Sequence, residues 1–197
     1  MVAAEFNQTI QVFELDNGAG VWRYLPAHSG YTAVGTKESK LIYSPIAGSA
    51  PGLQLTLRRQ RLSENSALLW NEKQLMVVSI DDRSSRHLLT VTAVSLPLVT
   101  VSCSRQRFGR NELNNPIPLP PEELSFPGWL AEKYVRYGSP EPGAGTELSY
   151  VLLVPKAVPQ LKVGDVITIG ADRFAVQLPH LLGEYRNEYE IVLWRDA

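Results

Sequence analysis

Three histidines, one cysteine and twenty carboxylates are the groups in this 197-residue chain that could carry acid–base, nucleophilic or metal chemistry. A metal site would need several of them at short, regular spacing. His28, His87 and His180 stand far apart, and none has a cysteine or second histidine at ligand spacing. Nucleophilic catalysis needs an activated hydroxyl or thiol, and no Gly-x-Ser-x-Gly elbow occurs. No phosphate loop, dinucleotide fingerprint or calcium loop is present either. Gly164-Asp165 and Gly170-x-Asp172 lie between β-branched runs and read as hairpin turns. Cys103 continues the alternation of Val99 and Val101, the place of a small strand hydrophobe, and a lone cysteine excludes an intramolecular disulfide. The expectation is a protein that is not an enzyme, with no catalytic residues, no cofactor and no metal.

Charged side chains suit contact better than catalysis. Arg58, Arg59 and Arg61 leave one alternating segment, and Arg105, Arg107 and Arg110 lead into Pro116, Pro118 and Pro120. With Phe108 beside it, the second cluster suits a nucleic-acid strand, but arginine forks suit protein carboxylates equally well. The reading preferred is an extended arm that docks on protein. Glu184, Tyr185 and Arg186 join the expected interface, because tyrosine and arginine are enriched in such surfaces. The net charge of −1 is too small to mark a nucleic-acid binder. It hides an asymmetry: residues 1–110 sum to +4 and residues 111–197 to −5.

These residues must be held by strands. A hydrophobic fraction of 44% and a charged fraction of 20% are ordinary for a folded protein that buries a core. No apolar run approaches the ~20 residues that cross a bilayer as a helix, and the first residues lack the basic and apolar regions of a secretory signal. Residues 6–15 and 21–25 read as strands around Asn17-Gly18, a dipeptide suited to positive φ. Residues 53–60 alternate cleanly, and residues 88–103 are a β run bent at Pro97. Residues 111–121 should be extended or polyproline-like, since proline blocks both helix and ladder. Residues 122–137 carry the one expected helix, with Trp129, Leu130 and Tyr134 as its stripe, followed by a flexible loop over 139–145. Strands resume over 148–154 and 188–195. The fold class is therefore mostly β: a small antiparallel barrel or sandwich, or two related β units, with one short helix and long extended loops. The expected units are 1–104, an arm, helix and loop over 105–147, and a second hairpin unit over 148–197.

One pattern occurs twice, over residues 53–94 and 152–194. Each copy has an alternating strand, a polar connection and an apolar run (67–70; 166–169). A short turn, a second apolar run (75–78; 174–176), a charged loop and a closing strand complete it. The copies are either two barrels of similar design or strands that complete one larger barrel.

The first copy with its preceding segment resembles the head–tail joining proteins of tailed bacteriophages, the head-closure and adaptor proteins of the neck. The residues that carry the resemblance are 11–25, Gly35-Thr36-Lys37-Glu38, 53–59, 69–82 and 88–94, and the match as a whole covers about half the chain. The resemblance implies a β-barrel subunit that assembles as a homo-oligomeric ring between portal and tail. It implies contacts with adjacent portal, adaptor and tail proteins, non-specific contact with DNA passing through the channel, and no membrane. Its place would be the virion neck or tail, after assembly in the host cytoplasm. Another phage tail protein (a tail terminator, tube or baseplate subunit) or a non-viral barrel that binds a ligand are the alternatives.

Overall fold

A computed structural model describes residues 6–34, 39–83, 85–133, 149–181 and 183–194. Thirteen strands account for most of it: β1 (Gln8–Asp16), β2 (Arg23–Val34), β3 (Ser39–Ser44), β4 (Gly48–Arg58), β5 (Ala67–Trp70), β6 (Lys73–Asp81), β7 (Leu88–Ser95), β8 (Leu98–Arg110), β9 (Pro116–Glu132), β10 (Ser149–Pro155), β11 (Val166–Ile169), β12 (Asp172–His180) and β13 (Arg186–Leu193). The one helical turn among the described residues is the 3-10 turn Gly18–Gly20. All pairings are antiparallel.

The strands form two closed sheets in tandem. In the first, the order β2-β1-β5-β6-β7-β4 returns to β2 through the pairs Thr32↔Leu57, Ala33↔Thr56 and Val34↔Leu55, and β3 is appended to β4. In the second, β10-β13-β12-β11-β8-β9 closes as a barrel. Closure leaves few strand edges open to stray pairing. The repeat in the sequence is thus a repeat of topology: β1, β2, β4, β5, β6 and β7 correspond to β8, β9, β10, β11, β12 and β13. Registers agree pair by pair. Val12↔Leu68 and Leu68↔Leu75 match Cys103↔Ile167 and Ile167↔Phe174. Leu55↔Val91 matches Leu152↔Tyr189. A register shift falls between Val77 and Ser79 in one barrel and between Val176 and Leu178 in the other. The β5–β6 and β11–β12 turns have two residues each, Asn71-Glu72 and Gly170-Ala171, as the apolar runs around them require.

Each barrel has its own core. Ile10, Val12, Leu55, Leu57, Leu68 and Val91 fill the first. Cys103, Phe126, Leu152, Ile167, Phe174 and Tyr189 fill the second, with Val158 and Leu161 folding in from the β10–β11 connection.

The expected helix over 122–137 does not form: residues up to Glu132 lie in β9, and 134–137 fall outside the described residues. The cause is burial on both faces. Phe126 points into the second barrel while Trp129 and Ala131 pack outside it, so the segment shows a continuous apolar run without strand alternation. The proline segment, expected to stay out of any ladder, pairs as the first half of β9 (Arg110↔Pro116, Phe108↔Pro118). The boundary between units falls at Leu96-Pro97, not after residue 104, because β8 belongs wholly to the second barrel. Asn17 has φ −120°, so the Asn-Gly turn is replaced by the 3-10 turn, whose Gly18 N–H donates to the Asp16 carboxylate at 2.8 Å. The loop over 139–145 and residues 35–38 lie outside the described residues.

Candidate assembly interface

Residues that project from the two barrels fall into three groups: the seam between the barrels, the β1–β2 hairpin and the β8–β9 hairpin. The seam is apolar. Ala50, Ala67, Met76 and Val94 from the outside of the first barrel meet Trp129, Ala131, Val151 and Leu153 from β9 and β10 of the second. Tyr24 lies against Trp129 with ring centroids 6.3 Å apart, and burial pushes its hydroxyl pKa up to about 12. Polar pins flank the seam. The Ser44 hydroxyl donates to Glu188 at 2.6 Å. Arg186 reaches across to Met76 Sδ at 3.1 Å and donates to the Val77 carbonyl at 2.6 Å. Burial lowers the Arg186 pKa from its ordinary value.

The β1–β2 hairpin reaches over the second barrel. Leu15 and Trp22 pack on its core, and the Trp22 backbone N–H donates to the Ser125 carbonyl at 3.4 Å. A cleft of about 390 Å³ runs along this contact, with Val21, Trp22, Arg23 and Tyr24 on one side and Thr100, Ser125 and Pro127 on the other.

The β8–β9 hairpin does the opposite and projects into solvent. Beyond Arg105 it is a two-stranded ribbon that ends in the turn over 111–115, where Asn111 N–H donates to the Asn115 carbonyl at 3.0 Å. Phe108 is 68% and Leu113 79% exposed, and Ile117 is also exposed. Antiparallel pairs alternate between bonded and non-bonded. Counting from the bonded 111/115 pair puts Pro116 and Pro118 at non-bonded positions, where an N–H would point outward. Proline has none. The outer rim of β9 therefore offers carbonyls only.

The expected contact residues separate accordingly. Arg107, Arg110, Pro116, Pro118 and Pro120 all lie exposed on the ribbon, and Arg110 donates to Asn114 Oδ1 at 2.6 Å. Arg105 does not join them. Its side chain is 16% exposed and forks onto Asp165, 9% exposed, with contacts of 2.5 and 3.2 Å, and onto the Gln160 carbonyl at 2.9 Å. It fastens the root of the ribbon to the β10–β11 connection. Burial would raise the Asp165 pKa, but the Arg105 hydrogen bonds and the Lys162 N–H hold it below the ordinary value. Arg59 is tied to Asp82 and Arg61 to Glu14, while Arg58 is exposed at the end of β4. Glu184 and Tyr185 are exposed, whereas Arg186 is spent on the seam. Sequence reasoning missed the seam residues Met76, Trp129 and Leu153. The signal available was apolar character on both faces of β9 and β10.

The remaining chemical groups are placed structurally. Cys103 is buried in the second barrel, and burial pushes its thiol up to about 11. His180 Nε2 lies 3.0 Å from Glu190 Oε1, and Lys133 pairs with the other oxygen of that carboxylate. Among the described residues no cluster of three or more His, Cys, Asp or Glu side chains is placed to hold a metal ion. No described helix is long and apolar enough to cross a membrane. Comparison with protein-family models and with curated proteins returns no match, so geometry alone must carry a functional reading.

Proposed function

We propose that the chain is a structural virion subunit of a tailed bacteriophage: a ring-forming head–tail connector of the neck that joins portal to tail around the DNA channel. The observation that carries this reading is the way the two barrels meet. The first uses the outside of β4 to β7, the second the outside of β9 and β10. β5 and β6 of the first barrel line the seam while their equivalents β11 and β12 do not, so the two faces differ and the contact is head-to-tail, not two-fold. A head-to-tail contact closes into a ring when its rotation closes and otherwise runs on as a filament. A chain that already contains one such step, and keeps the apolar side chains of its ribbon exposed, suits a subunit of a ring. The ribbon and the Glu184–Tyr185 edge are then available to neighbouring subunits and to adjacent portal or tail proteins. Arg107 and Arg110 supply positive charge where the ribbon reaches DNA or an acidic partner.

A tail tube or terminator subunit uses the same head-to-tail logic, and the end product distinguishes it. Electron micrographs of the purified protein at high concentration are expected to contain rings with a central channel. Stacked tubes would move the assignment from neck to tail. A monomer at every concentration tested would overturn both.

A further inference from the structure

If the chain forms a ring, two of its surfaces must propagate the assembly, and the internal repeat identifies them; the inference rests on the ring reading. Within the chain, the β1–β2 hairpin of the first barrel is tied to the second barrel by the Trp22–Ser125 backbone bond, beside a cleft lined by Thr100, Ser125 and Pro127. Strand registers identify the equivalents. Thr100↔Pro127 and Ser102↔Ser125 in the second barrel correspond to Thr9↔Tyr31 and Gln11↔Ser29 in the first. The first barrel therefore presents the same seat, formed by Thr9, Ser29 and Tyr31. All three are exposed, Tyr31 at 64%. The hairpin that would fill the seat is the equivalent of β1–β2, which is β8–β9, and its apolar side chains Phe108, Leu113 and Ile117 are exposed.

We propose that the β8–β9 ribbon of one copy docks on the Thr9–Ser29–Tyr31 face of the first barrel of a second copy, repeating between chains the contact that β1–β2 makes within one. Each subunit then carries one unfilled seat and one unseated ribbon. This is the requirement for head-to-tail growth, and a ribbon-to-ribbon dimer would leave both seats empty. The contact differs from its internal counterpart in one respect. Pro116 and Pro118 cannot repeat the backbone bond that the Trp22 N–H gives Ser125. Seating depends on Phe108, Ile117 and the Tyr31 ring instead, an aromatic and aliphatic contact of the kind that dominates interface energetics.

The test uses the chain's single cysteine to advantage, because Cys103 is buried and leaves no competing surface thiol. A full-length double variant, Arg110→Cys with Ser29→Cys, places thiols beside the anchors without removing them, and is treated with a short bis-maleimide beside each single variant. A ladder of covalent oligomers is expected from the double variant and none from either single one. Mixing the two single variants should give dimers and stop there. Dimers from Arg110→Cys alone would overturn the proposal by showing ribbon-to-ribbon contact. Particle sizing of the unaltered chain runs in parallel. Assembly without a ladder would overturn the seat while sparing the ring, and a monomer throughout would overturn both. Replacing residues 107–119 with Asn-Gly gives a second readout: an unchanged melting temperature with the assembly midpoint moved at least tenfold upward in concentration. An unshifted midpoint would overturn the docking.

Discussion

Arg105 and Arg186 show at single residues how far charge type alone leads. Both carry the side chain expected at a docking surface, yet one is forked onto Asp165 and the other onto the Val77 carbonyl. Breaking a largely buried pair leaves an uncompensated charge, so Asp165→Asn should cost about 3 kcal/mol in chemical denaturation. The same pair sets a pH dependence. Asp165 has a folded pKa below its unfolded value, so its contribution is present above about pH 4 and is lost as pH falls through the lower folded value. Wild-type stability should decline on acidification in that range, and Asp165→Asn should flatten the decline. Trp129 belongs to the same scale. It is buried where the barrels meet, and Trp129→Ala should cost about 3–5 kcal/mol. Calorimetry is the informative measurement, since loss of the seam should split one unfolding transition into two.

At the scale of the element, the β5–β6 turn holds Asn71 at φ 47° and Glu72 at φ 63°. Asparagine tolerates the left-handed region, whereas glutamate there is strained. Glu72→Gly should therefore stabilise the protein by about 0.5–1 kcal/mol, seen as a rise of a few degrees in melting temperature. Its counterpart already has glycine at the first turn position, Gly170 with φ 61°. Such short-range features were legible in the sequence. The alternation of Leu53, Leu55 and Leu57 fixes one face of β4, and a two-residue turn between apolar runs fixes a hairpin. β9 was not legible. Its inward Phe126 and outward Trp129 make a run without period, and Pro127-Gly128 imitates the start of a helix. The distinction between Arg107 on the ribbon and Arg105 at its root was also hidden, because the partner Asp165 is 60 residues away and arrives only when the second barrel closes.

At the scale of the whole molecule, the repeat that the sequence shows over half of each unit extends through all six strands of both barrels. The part that was missed, β1–β2 against β8–β9, escaped detection because one hairpin is short and the other carries an added ribbon with prolines. What distinguishes the halves is their surroundings more than their topology. The first barrel's outer face is small and apolar at Ala50 and Ala67 to receive the second, and at the seam the second answers with Trp129 and Leu153. A chain cut at Leu96-Pro97 should show this asymmetry directly. Each half expressed alone exposes its side of the seam, and the two halves mixed should recombine into a particle with the mass of the intact chain, measured by light scattering.

The proline rim of β9 has a consequence for timing. If copies of this chain assemble as proposed, they meet in solution first, and a ribbon with donors on both rims could zip onto another along either edge. With Pro116 and Pro118 on the β9 rim, that edge has no N–H to give and cannot complete a two-way ladder, which leaves only the β8 rim for backbone pairing. Along the β9 edge, contact falls to the side chains. Under the proposed assembly, the rim would favour fidelity of the final arrangement over speed of first contact.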